Sequence, residues 1–243
     1  MPAKPTDPMS DRHYLLDSIT GAFVPLHPEG HKFVLGFAIA ALILFMLAPP
    51  LGWIAAVATL ACAYFFRDPR RVTPFRPGLA VSSADGKIVS IGTVVPPKEL
   101  ALGDALLTRI SVFLSVLDVH VVRSPVAGRV VHSAYMPGKF LNAERDKASE
   151  DNERRAMVIE TATGERIGTV LIAGLIARRI VTFAGEGTSV AAGERIGIIR
   201  FGSRVDVYLP AGAEILVAAG QTAIGGETVL AELLATPARV DGP

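Results

Sequence analysis

Ser124-Pro125-Val126-Ala127-Gly128-Arg129-Val130 reads as a turn that opens a strand. Proline presets the entry, glycine permits the tight reversal, and Val130 begins a pleated run. A stretch of similar design recurs downstream at Val190-Ala191-Ala192-Gly193-Glu194-Arg195-Ile196-Gly197. Around these two turns lie short Val/Ile-rich runs bounded by turn residues: Lys87–Val95, Arg129–Tyr135, Ala156–Thr161, Ile167–Ala173, Arg195–Arg200 and Val205–Leu209. That is the signature of strands, and their close spacing predicts a sandwich or barrel from about residue 78 onward. Long amphipathic helical patterns are scarce in this region.

The two turns resemble the halves of biotinyl and lipoyl domains. The expected fold is therefore mainly β, a lipoyl/biotinyl-like barrel-sandwich body. The same resemblance supplies a rival function, because Asp146-Lys147-Ala148 matches the tripeptide whose lysine such carriers modify. However, Asn142–Glu153 is a dense polar stretch without the apolar flanks of a tight hairpin tip. A membrane-tethered lipoyl-like adaptor is a second, non-enzymatic rival, but no coiled-coil heptads accompany the turns.

Half of the 243 residues are hydrophobic and 19% are charged, below the roughly 25% of an average globular chain. This composition excludes intrinsic disorder as the main state. The net charge of +1 argues against a nucleic-acid partner. A single cysteine, Cys62, excludes an internal disulfide framework, and no metal-binding constellation is visible. The hydrophobicity is concentrated. Residues 33–66 carry no charge, and Pro49-Pro50 divides them into two halves, each slightly short of the ~20 residues that cross a bilayer. A double proline breaks or kinks a helix. Lys32 precedes the run, and Arg67, Arg70, Arg71 and Arg76 follow it, so both ends carry the charge that favours the cytoplasmic side. A helical hairpin entering the membrane from one face fits these flanks better than one kinked span. The expected organisation is a polar segment 1–31, a membrane anchor 32–67 and a β body 68–243. The expected location is a membrane, with the body on its cytoplasmic side.

Gly202-Ser203 lies between two strand-like runs and is the sole Gly-Ser dipeptide of the chain. A serine hydroxyl held against the preceding carbonyl can attack it and convert amide to ester. β-Elimination then cuts the chain and leaves dehydroalanine, and hydrolysis of that group gives an N-terminal pyruvoyl. An isolated Gly-Ser is an ordinary turn; its surroundings are what make this chemistry relevant.

Those surroundings are Phe65-Phe66-Arg67-Asp68-Pro69-Arg70-Arg71, Ala84-Asp85-Gly86-Lys87, the run from Phe113 to Gly128 containing Asp118-Val119-His120, the run from Pro137 to Arg154, and Phe201 to Pro210. In this order they resemble the phosphatidylserine decarboxylase family, in its short bacterial branch, over roughly residues 32–232. The resemblance implies self-cleavage between Gly202 and Ser203 into a β chain 1–202 and an α chain 203–243, which stay together as a heterodimer. It implies a pyruvoyl cofactor made from Ser203 and no metal. It also implies decarboxylation of a phospholipid substrate, phosphatidylserine, through a Schiff base to phosphatidylethanolamine. Asp146-Lys147-Ala148 then belongs to a family motif rather than to a lipoylation site. A pyruvoyl decarboxylase of free amino acids is the enzymatic alternative, but it would need no apolar run of this length.

Self-cleavage needs a base, and turnover needs a proton donor. Imidazole titrates near neutrality and suits both tasks. His120 matches a family histidine, and Asp85 matches the aspartate that partners a histidine in self-cleavage. Longer family members carry their triad base three residues after the first histidine. Here that position is Arg123, which stays protonated. His120 or His132 must then act, or the relay is arranged differently. Arg123, Lys139, Arg204 and His132 are candidate substrate contacts, the cations for phosphate or carboxylate. His13, His27 and His31 are expected at the surface.

Overall fold

The computed structural model describes residues 24–138, 152–174, 179–200 and 203–233. The chain divides into two compact units, Met1–Arg70 and Arg71–Pro243.

In the first unit the double proline does what its chemistry requires. Helix α1, Pro28–Leu47, ends before Ala48, whose extended backbone is the one-residue link to helix α2, Pro49–Phe65. Proline occupies the first turn of α2, where its missing N–H costs nothing. The helices return on themselves as a hairpin. Leu26 pairs with Arg67, and the amide of His27 donates to the carbonyl of Phe66, which ties the two ends together. Near the bend, Gly52 packs on Phe45, whose ring meets Trp53 edge-on at 5.3 Å. Leu42, Met46, Leu47, Trp53 and Leu60 point outward and are exposed. α1 is long and apolar enough to cross a membrane, and 11% of its apolar window is buried. One expectation fails here. His27 is buried, because its Nδ1 accepts from the amide of Glu29 and caps α1.

The second unit is mostly β. Its strands are β1 (Leu79–Val81), β2 (Gly86–Val94), β3 (Leu107–Leu114), β4 (Val121–Arg123), β5 (Gly128–Met136), β6 (Arg154–Glu160) and β7 (Arg166–Ala173). They continue with β8 (Ile180–Thr182), β9 (Ser189–Val190), β10 (Arg195–Ile199), β11 (Ser203–Leu209), β12 (Glu214–Ile215), β13 (Thr222–Ala223) and β14 (Val229–Glu232). A curled eight-stranded sheet has the order β13-β2-β3-β11-β7-β6-β5-β9, and two three-stranded sheets, β1-β14-β12 and β4-β10-β8, complete the unit.

Alternation along β11 organises the interior. Val205, Val207 and Leu209 join Ile110, Val112, Leu171 and Ile159 in the main core, while Tyr208 joins Leu100, Val158, Val170 and Ile172 on the opposite face. β11 is therefore buried on both sides, and each of its residues is covered. The two turns read from the sequence lie side by side. Gly128 pairs with Val190, and the amide of Gly193 donates to the carbonyl of Ser124. Gly193 has φ 74°, and an added Cβ there would lie 2.0 Å from Thr73 Oγ1, so any other residue is strained and would push Thr73 aside.

Candidate active site

Ser203 opens β11, paired with Leu114 of β3 on one side and Ala173 of β7 on the other. It shares the face of Val205 and Val207, so its hydroxyl points toward the main core. Ser203 has no exposed surface, and its Oγ has no hydrogen-bond partner among the described residues. A buried hydroxyl without a partner costs about 1–3 kcal/mol.

Asp85 reaches the same end of the sheet through Gly86. Lys87 pairs with Phe113, and Gly86 lies against the backbone of Phe113 and Leu114, which puts it in one cross-strand row with Leu114 and Ser203. Two strand spacings, about 10 Å, separate Gly86 from Ser203 along that row. Gly86 has φ 148°, and an added Cβ would sit 2.1 Å from the carbonyl oxygen of Phe113. Asp85 accepts from Arg71 Nη2 at 2.7 Å through Oδ1, while Oδ2 is buried with no hydrogen-bond partner among the described residues. Burial pushes its carboxyl above the ordinary carboxylate value. The Arg71 guanidinium opposes that rise, the nearby Asp118 charge adds to it, and the Gly225 amide offsets part of it.

His120 enters from the other side. Its carbonyl accepts from the amide of Ile199, four positions before Ser203, and its ring is buried. Nδ1 lies 2.9 Å from the carbonyl oxygen of Asp118. A carbonyl can only accept, so Nδ1 donates this hydrogen bond. Asp118 also closes the turn after β3, its Oδ2 accepting from the amide of Ser115. The topology thus gathers Ser203, Asp85, His120 and Asp118 at one end of the sheet.

The other residues singled out in the sequence lie elsewhere. Arg204 points to the opposite face from Ser203. It is buried, with Nε donating to Asp206 Oδ1 at 2.6 Å and Nη2 to Asp206 Oδ2 at 3.0 Å and to Ser111 Oγ at 2.9 Å. Arg123 is also buried, and its Nη1 donates to the carbonyl of Gly193, bracing the second glycine turn. His132 pairs with Val158 on β6 and is half exposed, its Nε2 donating to the carbonyl of Glu99. Through Gly168 this row reaches Tyr208, five residues along β11 from Ser203, or about 17 Å along the strand. Gly202, Lys139 and the Asp146-Lys147-Ala148 tripeptide fall outside the described residues.

A polar cavity of about 480 Å³ occurs on the Arg204 side of the sheet, lined by Arg109, Arg154, Asp206 and Tyr208 among others. Burial, and then the Asp206 charge, push the Tyr208 hydroxyl well above its ordinary value, so it stays a neutral donor. This cavity does not reach Ser203. Sequence reasoning missed Arg71, which it read as a membrane flank, and Asp118, although Asp118 stands two residues before His120 in a quoted motif.

Ser203 is thus a buried serine at the head of a central strand of a mostly β unit, with a carboxyl and an imidazole at the same sheet end. Residues 58–231 match the family described as phosphatidylserine decarboxylase. The chain is similar to a phosphatidylserine decarboxylase proenzyme of Nitrobacter winogradskyi, with 57% identity over 222 residues, covering 91% of this chain and 90% of that one. The chain belongs to the phosphatidylserine decarboxylase family. It is a carboxy-lyase that converts phosphatidylserine to phosphatidylethanolamine.

Proposed function

We propose that this decarboxylase matures by cutting itself between Gly202 and Ser203, giving chains 1–202 and 203–243, and that Ser203 becomes its pyruvoyl group. The observation that carries the proposal is the fully buried Ser203 at the head of β11, whose Oγ has no partner among the described residues. Ser203 Oγ attacks the Gly202 carbonyl carbon, the amide C–N bond breaks, and the acyl group passes from nitrogen to oxygen. Loss of the Cα proton then expels Gly202 as a carboxylate and leaves dehydroalanine. Water displaces the nitrogen as ammonia, leaving a ketone. The group so formed supplies an electrophilic carbonyl and a sink for the electrons left by departing CO2.

The residues of the chain fit such a group. Ser203 lies in a water-poor row between β3 and β7, where a carbonyl is shielded from side reactions. His120, whose ring is buried beside Asp118, is the imidazole that would take the Ser203 proton and later return one to the substrate carbon. Asp85, held by Arg71 through Oδ1, keeps its carboxylate at the same end of the sheet, where its charge would favour the imidazolium formed when that ring takes the proton. Arg123 and Arg204, already bonded to Gly193 and Asp206, act in this reading as braces for the turn and the strand. The paired turns at Ser124–Gly128 and Val190–Gly197 support a lipoyl-like body, residues 68–243. The outward apolar surface of the α1–α2 hairpin supports a membrane anchor over residues 32–67, following a polar segment 1–31. Its basic flanks favour a body on the cytoplasmic side of a bacterial membrane.

Intact mass spectrometry of the wild type and Ser203→Ala tests the maturation. Two chains split after Gly202 in the wild type, the smaller lacking a free amine, and one chain in the variant, are expected. A single wild-type chain that nevertheless decarboxylates phosphatidylserine would refute the assignment of Ser203.

A further inference from the structure

Three segments that come together beside Asp85, at the end of the sheet that holds Ser203, each carry exposed apolar side chains. Arg71 holds Asp85, and the next residue, Val72, is 84% exposed. Gly225 packs so tightly on Ala84–Asp85 that an added Cβ would lie 3.2 Å from the amide nitrogen of Asp85, and the residue before it, Ile224, is 40% exposed. The Ser115–Asp118 turn follows Leu114, the strand partner of Ser203, and carries Val116 at 49% and Leu117 at 68%. Three chain segments distant in sequence thus each present apolar surface beside the same buried site.

Scattered exposed apolar residues need no explanation; three sets of them on segments that meet beside one buried site do. The established substrate, on which this inference rests, is a phospholipid whose acyl chains remain in the bilayer. Ser203 itself has no exposed surface. The serine head group is short, so the bilayer must come flush against the rim for that head group to reach the reacting atoms. A protein partner on the rim would instead close the route by which lipid enters. We propose that this face of the β body docks directly on the phospholipid bilayer, with Val72, Val116, Leu117 and Ile224 entering the boundary between head groups and acyl chains.

Two measurements on the full-length enzyme in vesicles test this docking. The first uses Val72→Ser/Leu117→Ser/Ile224→Ser and compares turnover of bilayer phosphatidylserine with turnover of a short-chain, monomeric phosphatidylserine, with self-cleavage as the folding control. The bilayer-to-monomer ratio should fall about tenfold or more, since several apolar groups lose their burial. An unchanged ratio in a cleaved, active variant overturns the proposal. The second places a reporter, Leu117→Trp, in a Trp53→Phe background, because Trp53 is the single tryptophan of the chain. Acyl-brominated lipid should quench the fluorescence of the introduced indole, and absence of quenching overturns the proposal whatever the activities. Failure of the wild type to turn over either form of phosphatidylserine would strike at the substrate, while the quenching result would still decide the docking.

Discussion

The Arg204–Asp206 pair offers a sharp test of how the central strand is held. Both side chains are essentially sealed from solvent, at 1% and 0% exposure, and two hydrogen bonds of 2.6 and 3.0 Å join them in a fork. Arg204 Nη2 also donates to Ser111 Oγ on β3, so the pair ties two strands together. Arg204→Leu would leave the Asp206 carboxylate buried and without its cation. Breaking such a pair costs about 3–5 kcal/mol, whereas replacing both members by apolar residues is often neutral. For a domain of this size each 1 kcal/mol shifts Tm by about 2–4 °C, so Arg204→Leu should lower Tm by roughly 6–20 °C. Arg204→Leu/Asp206→Leu should recover most of that loss. The double-mutant cycle, read by thermal unfolding in detergent, should show a coupling above about 2 kcal/mol. The competing role is contact with the lipid phosphate or carboxylate. An Arg204→Leu enzyme with unchanged Tm, normal self-cleavage and a greatly raised KM would refute the bracing role and restore substrate contact.

Three further outcomes are expected. Arg71→Gln removes the cation that opposes the upward push of burial on Asp85, so the Asp85 carboxyl should stay protonated to higher pH. The acid limb of the self-cleavage pH profile should then move upward, Arg71→Lys should move it less, and an unmoved limb would show that Asp85 ionisation does not govern the step. His120→Gln should slow self-cleavage by about 10²-fold or more, as loss of a general base does, while His132→Gln should leave it near wild type, both followed by gel densitometry. Gly86→Ala forces a side chain into a left-handed backbone and against the Phe113 carbonyl, so denaturant unfolding should show a loss of more than about 2 kcal/mol and slower maturation.

Much of this architecture was legible in the chain. The six strand-like runs all fall on observed strands because their apolar residues alternate or run together between turn residues. β3 escaped, since Arg109 and Ser111 interrupt its hydrophobic pattern. Both lie on the face that carries the Arg204–Asp206 pair, a role that only the assembled sheet reveals. Pro49-Pro50 marked the hairpin bend because proline acts locally. Ser203, Asp85 and His120 could be named because their motifs are contiguous. Arg71 could not, since its contact with Asp85 depends on a loop path that no local pattern encodes. His27 misled for the opposite reason: a polar residue beside a helix start looks solvated until its ring is seen capping that helix.

The position of Ser203 has a consequence for the matured molecule. The cut would fall where β11 begins, yet β11 is clasped along its length by β3 and β7. Downstream, β13 is laced to β2 and β14 to β1. The short fragment would supply the keystone strand of an arch whose other stones belong to the long fragment. Two polypeptides would thus share one fold, separable by melting the sheet and not by dilution, and the newly made terminus would be born inside the protein rather than on its surface.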